Sequence, residues 1–457
     1  MKAIILITSA FFLLLACNQA DDYTSKAEPH GETFVSEPFA HPDWAVNATI
    51  YEANIRQHTP EGTINAFRKD LKRLSEMGIE ILWLSPIHPI GNIHRQGKYG
   101  DPHSVNDHRK VNPEMGSLSD FKALVLEAHE LGIKVIIDWV AYQTSLDHPW
   151  TYDYPNWYNR DSLANTIPAE SDSLDFATLN LERPLLQNEL ISCMKFWLQE
   201  ADIDGFHCSE AMRVPINFWE SARLSLDSIK PVFMLAEAED PLLHRSAFDM
   251  TYSNEFLQLM NQIASSQSNL KTVDNYLLRQ DSIFPPDAYR MNFTAHERLN
   301  IKSGTEIERF SNAHQVYATL AFTFGGMPLL HAGQESAFPV AFPLHEKDTI
   351  DWGNYPMQDF YSRLLKLHQN NPALWNGASG GSFKRIEVDS PYVLAYTRKK
   401  DDHEIIVMLN FSEVKQQVRL RTTVEGELKS IFNDQIFSIY SAGDISLEPF
   451  GFQVFAK

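Results

Sequence analysis

Read along the chain, apolar positions switch repeatedly between two periods. Residues 48–56 and 81–86 are short apolar runs of strand length. Between them Ile64, Phe67, Leu71 and Leu74 fall at helical spacing before Gly78, a residue suited to ending a helix. A second copy follows: Phe121, Leu124, Ala128 and Leu131 form a helical stripe, Gly132 ends it, and residues 135–140 are apolar except for Asp138. Further strands are predicted at 205–211, 232–239, 249–252, 290–295 and 327–331, with helices between most of them. Strands apolar on both faces, alternating with amphipathic helices, call for a parallel sheet, and eight such units for a closed (β/α)8 TIM barrel over residues 46–376. Residues 142–184 break the rhythm and read as an irregular insertion after the third strand, rich in Trp, Tyr, Asp and Asn. Beyond the Asn376-Gly377 break the period becomes two, with strands at 392–398, 404–411, 417–422 and 453–455. Residues 377–457 are therefore expected to form an antiparallel β-sandwich domain.

Composition narrows the partners. Among 457 residues, 39 are basic and 59 acidic, a formal charge of −20, which repels nucleic acid. Residues 3–16 are apolar, too short a run for a stable membrane span but suited to a secretory signal, and the run ends at Cys17. This resembles a bacterial lipoprotein signal: residues 1–16 are expected to be removed and Cys17 lipidated. Residues 17–45 would form a polar tether, and the protein would sit in the cell envelope, on the membrane through its lipid only. The remaining Cys193 and Cys208 are too few for a disulfide framework and lack zinc-type spacing, so they are read as buried fillers and no transition-metal site is inferred.

In a barrel of this kind chemistry gathers at the C-terminal ends of the strands. The carboxylates near those ends are Asp138, Glu210, Glu237, Glu239 and Glu297. Several carboxylates at one mouth fit glycoside hydrolysis, which needs one group to protonate the leaving oxygen and another as nucleophile or base. Strand parity places His207, Ser209 and Ala211 on one face of the fourth strand and Phe206, Cys208 and Glu210 on the other. Glu210 is therefore expected to face away from the mouth unless the strand bulges.

At these strands the chain resembles the α-amylase superfamily of glycoside hydrolases. The matching strings include Ile50-Tyr51-Glu52-Ala53-Asn54-Ile55-Arg56, Trp83-Leu84-Ser85-Pro86, Val111-Asn112-Pro113-Glu114-Met115-Gly116, Asp138-Trp139-Val140-Ala141, Asp202-Ile203-Asp204-Gly205-Phe206, Met234-Leu235-Ala236-Glu237 and Gly333-Gln334-Glu335. The resemblance implies Glu237 as general acid and Asp138 as a substrate-site carboxylate. It also exposes departures. Where the family pattern has an Asn-His pair after the third strand, this chain has Tyr142-Gln143. Where it has G-F-R-x-D, with the aspartate as nucleophile, this chain has Gly205-Phe206-His207-Cys208-Ser209. The fourth signature, F-T-S-N-H-D in the family, reads Phe293-Thr294-Ala295-His296-Glu297. With one residue deleted, His296-Glu297 replaces the His-Asp pair; without the deletion, Glu297-Arg298 does. The sugar-stacking tyrosine four residues before Asp107 is His103.

The predicted site thus comprises Glu237, Glu297 and Ser209 at the reacting centre, with Asp138, Gln143, His103, Asp107, His207 and His296 around the sugar. The aromatic group Trp150, Tyr152, Tyr154, Trp157 and Tyr158 could stack on glucose rings, and the Asn112 loop could offer oxygen ligands to calcium, the one cofactor considered. A serine hydroxyl has neither the charge nor the basicity to trap an oxocarbenium-like centre. The expectation is a protein of α-glucan metabolism that binds α-glucan oligosaccharides, or scaffolds a glycan-handling membrane partner, without catalysis. The alternatives are an active retaining hydrolase or transglycosylase with Glu237 as acid and a relocated second carboxylate such as Glu297, and a pure protein-interaction module.

Overall fold

A computed structural model of the protein describes residues 40–160, 169–170, 173–419, 427–433, 436–438 and 445–457. The expected signal, the lipidation at Cys17 and most of the tether lie outside the described residues. Eight parallel strands close a barrel: β1 Ile50–Ala53, β2 Ile81–Leu84, β3 Lys134–Trp139, β4 Gly205–Cys208, β5 Phe233–Ala236, β6 Met250–Tyr252, β7 Tyr289–Asn292 and β8 Met327–His331. Their order round the barrel is β1-β8-β7-β6-β5-β4-β3-β2. The continuous apolar runs have the reason anticipated for them: β1, β2, β4, β5 and β6 are buried at every position, between side chains filling the barrel and helices outside.

Local signals fix the outer helices. Helix Leu118–Glu130 starts at a capping box in which Ser117 and Asp120 satisfy each other's backbone N–H, and it buries Phe121, Leu124, Val125 and Ala128. Gly78 ends helix Leu71–Met77 at φ 100°, a left-handed conformation that costs glycine nothing. Gly205 opens β4 so close to its neighbour that a Cβ there would lie 1.9 Å from the Phe233 carbonyl oxygen.

Two expectations need correction. The first strand ends at Ala53, because Asn54 caps a short helix Ile55–His58, accepting from the Arg56 N–H; β4 likewise ends at Cys208 rather than running to residue 211. The insertion is not irregular throughout: Gln143–Ser145, Ser173–Thr178 and Ala169–Glu170 pair as a three-stranded antiparallel sheet. Its strands are too short, and too widely separated in sequence, to register as periodicity.

The C-terminal region is antiparallel, a six-stranded sheet with a two-stranded sheet beside it. Period two explains how it docks. In strand Val393–Lys400, Leu394 and Tyr396 join the barrel core, whereas Val393 and Ala395 join a smaller core with Val418 and Leu447 of the second sheet.

Candidate active site

At the exit of β3 the Asp138 carboxylate is buried beneath two residues of β4 and its following turn. The Ser209 hydroxyl donates to Asp138 Oδ1 at 2.5 Å, and His207 Nδ1 lies 3.0 Å from the same oxygen. Burial alone would raise the Asp138 carboxyl, yet His207, helped by His103 and Ser209, holds it below its usual range. With Nδ1–H given to Asp138, His207 Nε2 is left to accept from the Tyr252 hydroxyl, 3.0 Å away, and its ring packs on Trp83 at 4.0 Å between centroids. Ser209 is fully buried. Its hydroxyl is committed to Asp138, and both His207 nitrogens are committed elsewhere, so no base is placed to deprotonate it.

A second cluster lies beside the first, one residue beyond β5. Both oxygens of Glu237 accept from Arg298 Nη1, at 3.0 and 3.1 Å, and Glu237 Oε2 also accepts the Glu210 backbone N–H at 3.0 Å. Arg298 Nη2 donates to Glu210 Oε1 at 3.0 Å, and Arg213 reaches Glu210 Oε2 at 3.4 Å. One guanidinium therefore clasps two carboxylates. Glu210 gets there because the strand has already ended: its φ of 45° turns the chain, so strand parity no longer governs where its side chain goes. The expectation that Glu210 faces away from the mouth is thereby corrected. Burial opposes ionisation of Glu210, but Arg298 and then Arg213 outweigh it and keep its carboxyl below the ordinary range. Burial would likewise depress Arg298; Glu237 and Glu210 reverse the effect and raise it.

A third cluster uses β1, β2 and β8. Glu297 accepts from Asn54 Nδ2 at 2.5 Å and from the Ser85 hydroxyl at 2.9 Å, while its own N–H donates to Glu52 Oε2 at 3.1 Å. Glu52 in turn faces His331 Nδ1 at 2.8 Å. Burial raises the Glu52 carboxyl; burial would lower His331, but Glu52 raises it. Glu297, His331 and Asn54 line a small cavity of about 40 Å³ walled by Phe338, Phe342 and Ile350.

At the fourth signature it is Arg298, not Glu297, that meets Glu237, the contact the ungapped reading would give. His296 instead caps the following helix, buried against Phe293 and Tyr252. Among the described residues Glu297 shares no hydrogen-bond partner with Glu237, whereas Glu210 shares Arg298 with it. His103 is buried with Nδ1 on Asp101 at 2.9 Å, and Gln143 Nε2 donates to the His103 carbonyl at 3.2 Å, leaving Gln143 Oε1 buried without a partner among the described residues. Asp107 lies apart from all three clusters, held by Lys110 and the Arg109 N–H. Asn112 Oδ1 accepts the Glu114 N–H. Of the aromatic group, Trp150, Trp157 and Tyr158 are buried, while Tyr152 and Tyr154 are exposed. Arg213, Tyr252, Asn54, Ser85 and His331 were absent from the predicted site; none carries a charge pattern or spacing that marks it before the strands are closed into a ring.

Residues 39–165 match the family model described as alpha amylase, catalytic domain, and residues 383–454 match that of the maltogenic amylase C-terminal domain. Among curated relatives, the alpha-amylase MalA of Haloarcula japonica is 24% identical over 85% of this chain and 59% of its own length. An alpha-1,4-glucan:maltose-1-phosphate maltosyltransferase of Salinibacter ruber is 26% identical over 82% of this chain and 61% of its own length. The chain thus spans about three fifths of these two relatives. Among solved structures, the noncanonic maltogenic alpha-amylase AmyB of Thermotoga neapolitana superposes with a TM-score of 0.77 at 27% identity, covering 90% of this chain and 96% of that one. An alpha-amylase of Lactobacillus plantarum gives 0.79 at 24%, covering 91% and 99%. With a closed eight-stranded barrel followed by an antiparallel domain, and both family models matched in that order, the chain belongs to the α-amylase superfamily of glycoside hydrolases.

Proposed function

We propose that this chain handles α-glucan oligosaccharides at the C-terminal mouth of its barrel, and that it binds them there without double-displacement cleavage. One observation carries the second half of this reading: Arg298 clasps Glu237 and Glu210 together. The acid of a retaining glycosidase must present a proton to the leaving oxygen, but both oxygens of Glu237 are already arranged as acceptors for a guanidinium. On the other side of the sugar a nucleophile is required, and Ser209 is buried with its hydrogen on Asp138. The hydrogen-bonding groups that remain suit recognition of sugar hydroxyls, and Tyr152 and Tyr154 are exposed ring faces in the insertion.

A second reading is an active hydrolase or transglycosylase, and the comparisons favour it, since the relatives and solved structures named above are all called amylases or transferases. The structure supplies a pair for it in Glu237 and Glu210, held side by side by Arg298. Calorimetric titration with maltoheptaose, run beside reducing-sugar release from starch, separates the two. Heat of binding without sugar release supports the binding reading. Release that disappears in Glu237→Gln establishes the enzyme instead. Lipid attachment at Cys17, as part of the same proposal, would hold the barrel at the cell envelope; fatty-acid labelling lost in Cys17→Ala tests it.

A further inference from the structure

We propose that the groove between the barrel and the C-terminal sheet is a second ligand site, and that it takes a phosphate ester of a sugar. The groove encloses about 1720 Å³ including its open side. It is remote from the mouth along the strands: Phe324, Gly325 and Gly326 line it at the entry of β8, whereas His331 stands at that strand's exit.

Arg398 is only 7% exposed, yet its guanidinium bonds only to carbonyl oxygens: Nε and Nη2 donate to the Gly381 oxygen at 3.0 and 2.7 Å, and Nη1 to that of Phe324. Among the described residues no carboxylate reaches it at ion-pair distance; Asp281, exposed on the groove wall, acts on it only from farther off. Burial of this uncompensated charge pulls Arg398 down to about 10. A buried cation is expensive unless something pairs with it. Glycine at 325 leaves room for it, since a Cβ there would lie 2.2 Å from Nη1.

Two further guanidinia line the same groove. Arg385 is a quarter exposed, with Nη1 donating to Asp274 at 3.0 Å and to the Leu270 carbonyl at 2.8 Å. Arg290 is paired with Glu239, donates to the Thr251 hydroxyl at 2.5 Å and lies over the Phe284 ring at 3.7 Å, with Nε buried and unpartnered among the described residues. Three arginines and two aspartates, Asp274 and Asp281, line the groove, so its lining carries one net positive charge in a chain whose formal charge is −20. Guanidinium forks match phosphate oxygens better than single donors do. Half-buried Trp375 and Phe383 also line the groove; Phe383 stacks one ring face on Tyr396, and the two rings offer apolar surface against which a pyranose can lie. An oxyanion with a sugar attached satisfies both halves of the lining, which neither a neutral sugar nor a free oxyanion does.

Isothermal titration of the full chain with glucose 6-phosphate, glucose and inorganic phosphate tests this. Glucose 6-phosphate is expected to bind at least about tenfold more tightly than either of the others, and to lose about tenfold in Arg385→Gln while remaining unchanged in Glu237→Gln. Arg398→Lys, which keeps the charge but not the fork, should weaken it as well; if that variant fails to fold, partly exposed Arg385 still decides. Absence of binding, equal binding of glucose or inorganic phosphate, or a loss confined to Glu237→Gln would overturn the proposal.

Discussion

Replacing Arg298 by methionine keeps the side-chain bulk and removes the guanidinium between Glu237 and Glu210. The two carboxylates, 18% and 32% exposed, then face each other across the mouth without a shared cation. Two like charges about 4 Å apart repel by roughly 4 kcal/mol at the effective dielectric of a protein surface. Arg298 is itself 40% exposed, so solvent and salt screen much of its contribution. The net cost at pH 7.5 should therefore lie near 1–2 kcal/mol, between an exposed ion pair and a buried one. The sign of the pH dependence follows from Glu210. Its depressed folded-state value gives the wild type stability that is present above the unfolded carboxylate range and lost as pH falls through the folded value. In the variant the unshielded pair binds a shared proton more readily, so its deficit relative to wild type should shrink between pH 7.5 and 5. Thermal unfolding followed by circular dichroism at both pH values measures this. A variant as stable as wild type at pH 7.5, or a deficit that does not shrink at pH 5, would refute the clasp.

Other expectations use the same reasoning. Ser209→Asp sets a second carboxylate against buried Asp138, where Ser209 Oγ now lies at 2.5 Å, and should lower stability by about 2 kcal/mol or more in urea unfolding. An unchanged midpoint would show that the pocket holds water or a cation. Because Glu52 and His331 are both raised in the folded state, each favours folding less as pH climbs through its folded value; His331→Gln should flatten the decline in melting temperature above pH 6.5. Gly205→Ala, with its Cβ 1.9 Å from a backbone oxygen of β5, should fail to give soluble protein, and a normal yield would contradict the packing at β4.

The barrel was legible because its strands are apolar on both sides, a pattern that burial between a filled interior and a helical shell requires. The helix-ending glycines Gly78 and Gly132 marked the adjoining elements. What sequence could not resolve lay just beyond the strand ends. Parity is a rule for extended chain, and it ceased to apply two residues past Cys208, where Glu210 turns through a left-handed conformation into the mouth. Whether Glu297 or Arg298 opposes Glu237 depends on a one-residue register that composition does not encode. The loss at Ser209 could be read directly, but its consequence, a hydroxyl donated to Asp138, required the two strands side by side. Arg213 and Tyr252 were invisible because their roles arise only when separate strands converge.

In the proposed function the mouth binds α-glucan with its cleavage groups locked in an ion-pair clasp. Prolonged incubation of maltoheptaose with a stoichiometric amount of protein, resolved by product chromatography, addresses it most directly. Intact maltoheptaose, recovered equally from wild type and Glu237→Gln, is the predicted result. Shorter maltooligosaccharides formed by wild type but absent with Glu237→Gln and Glu210→Gln would contradict it.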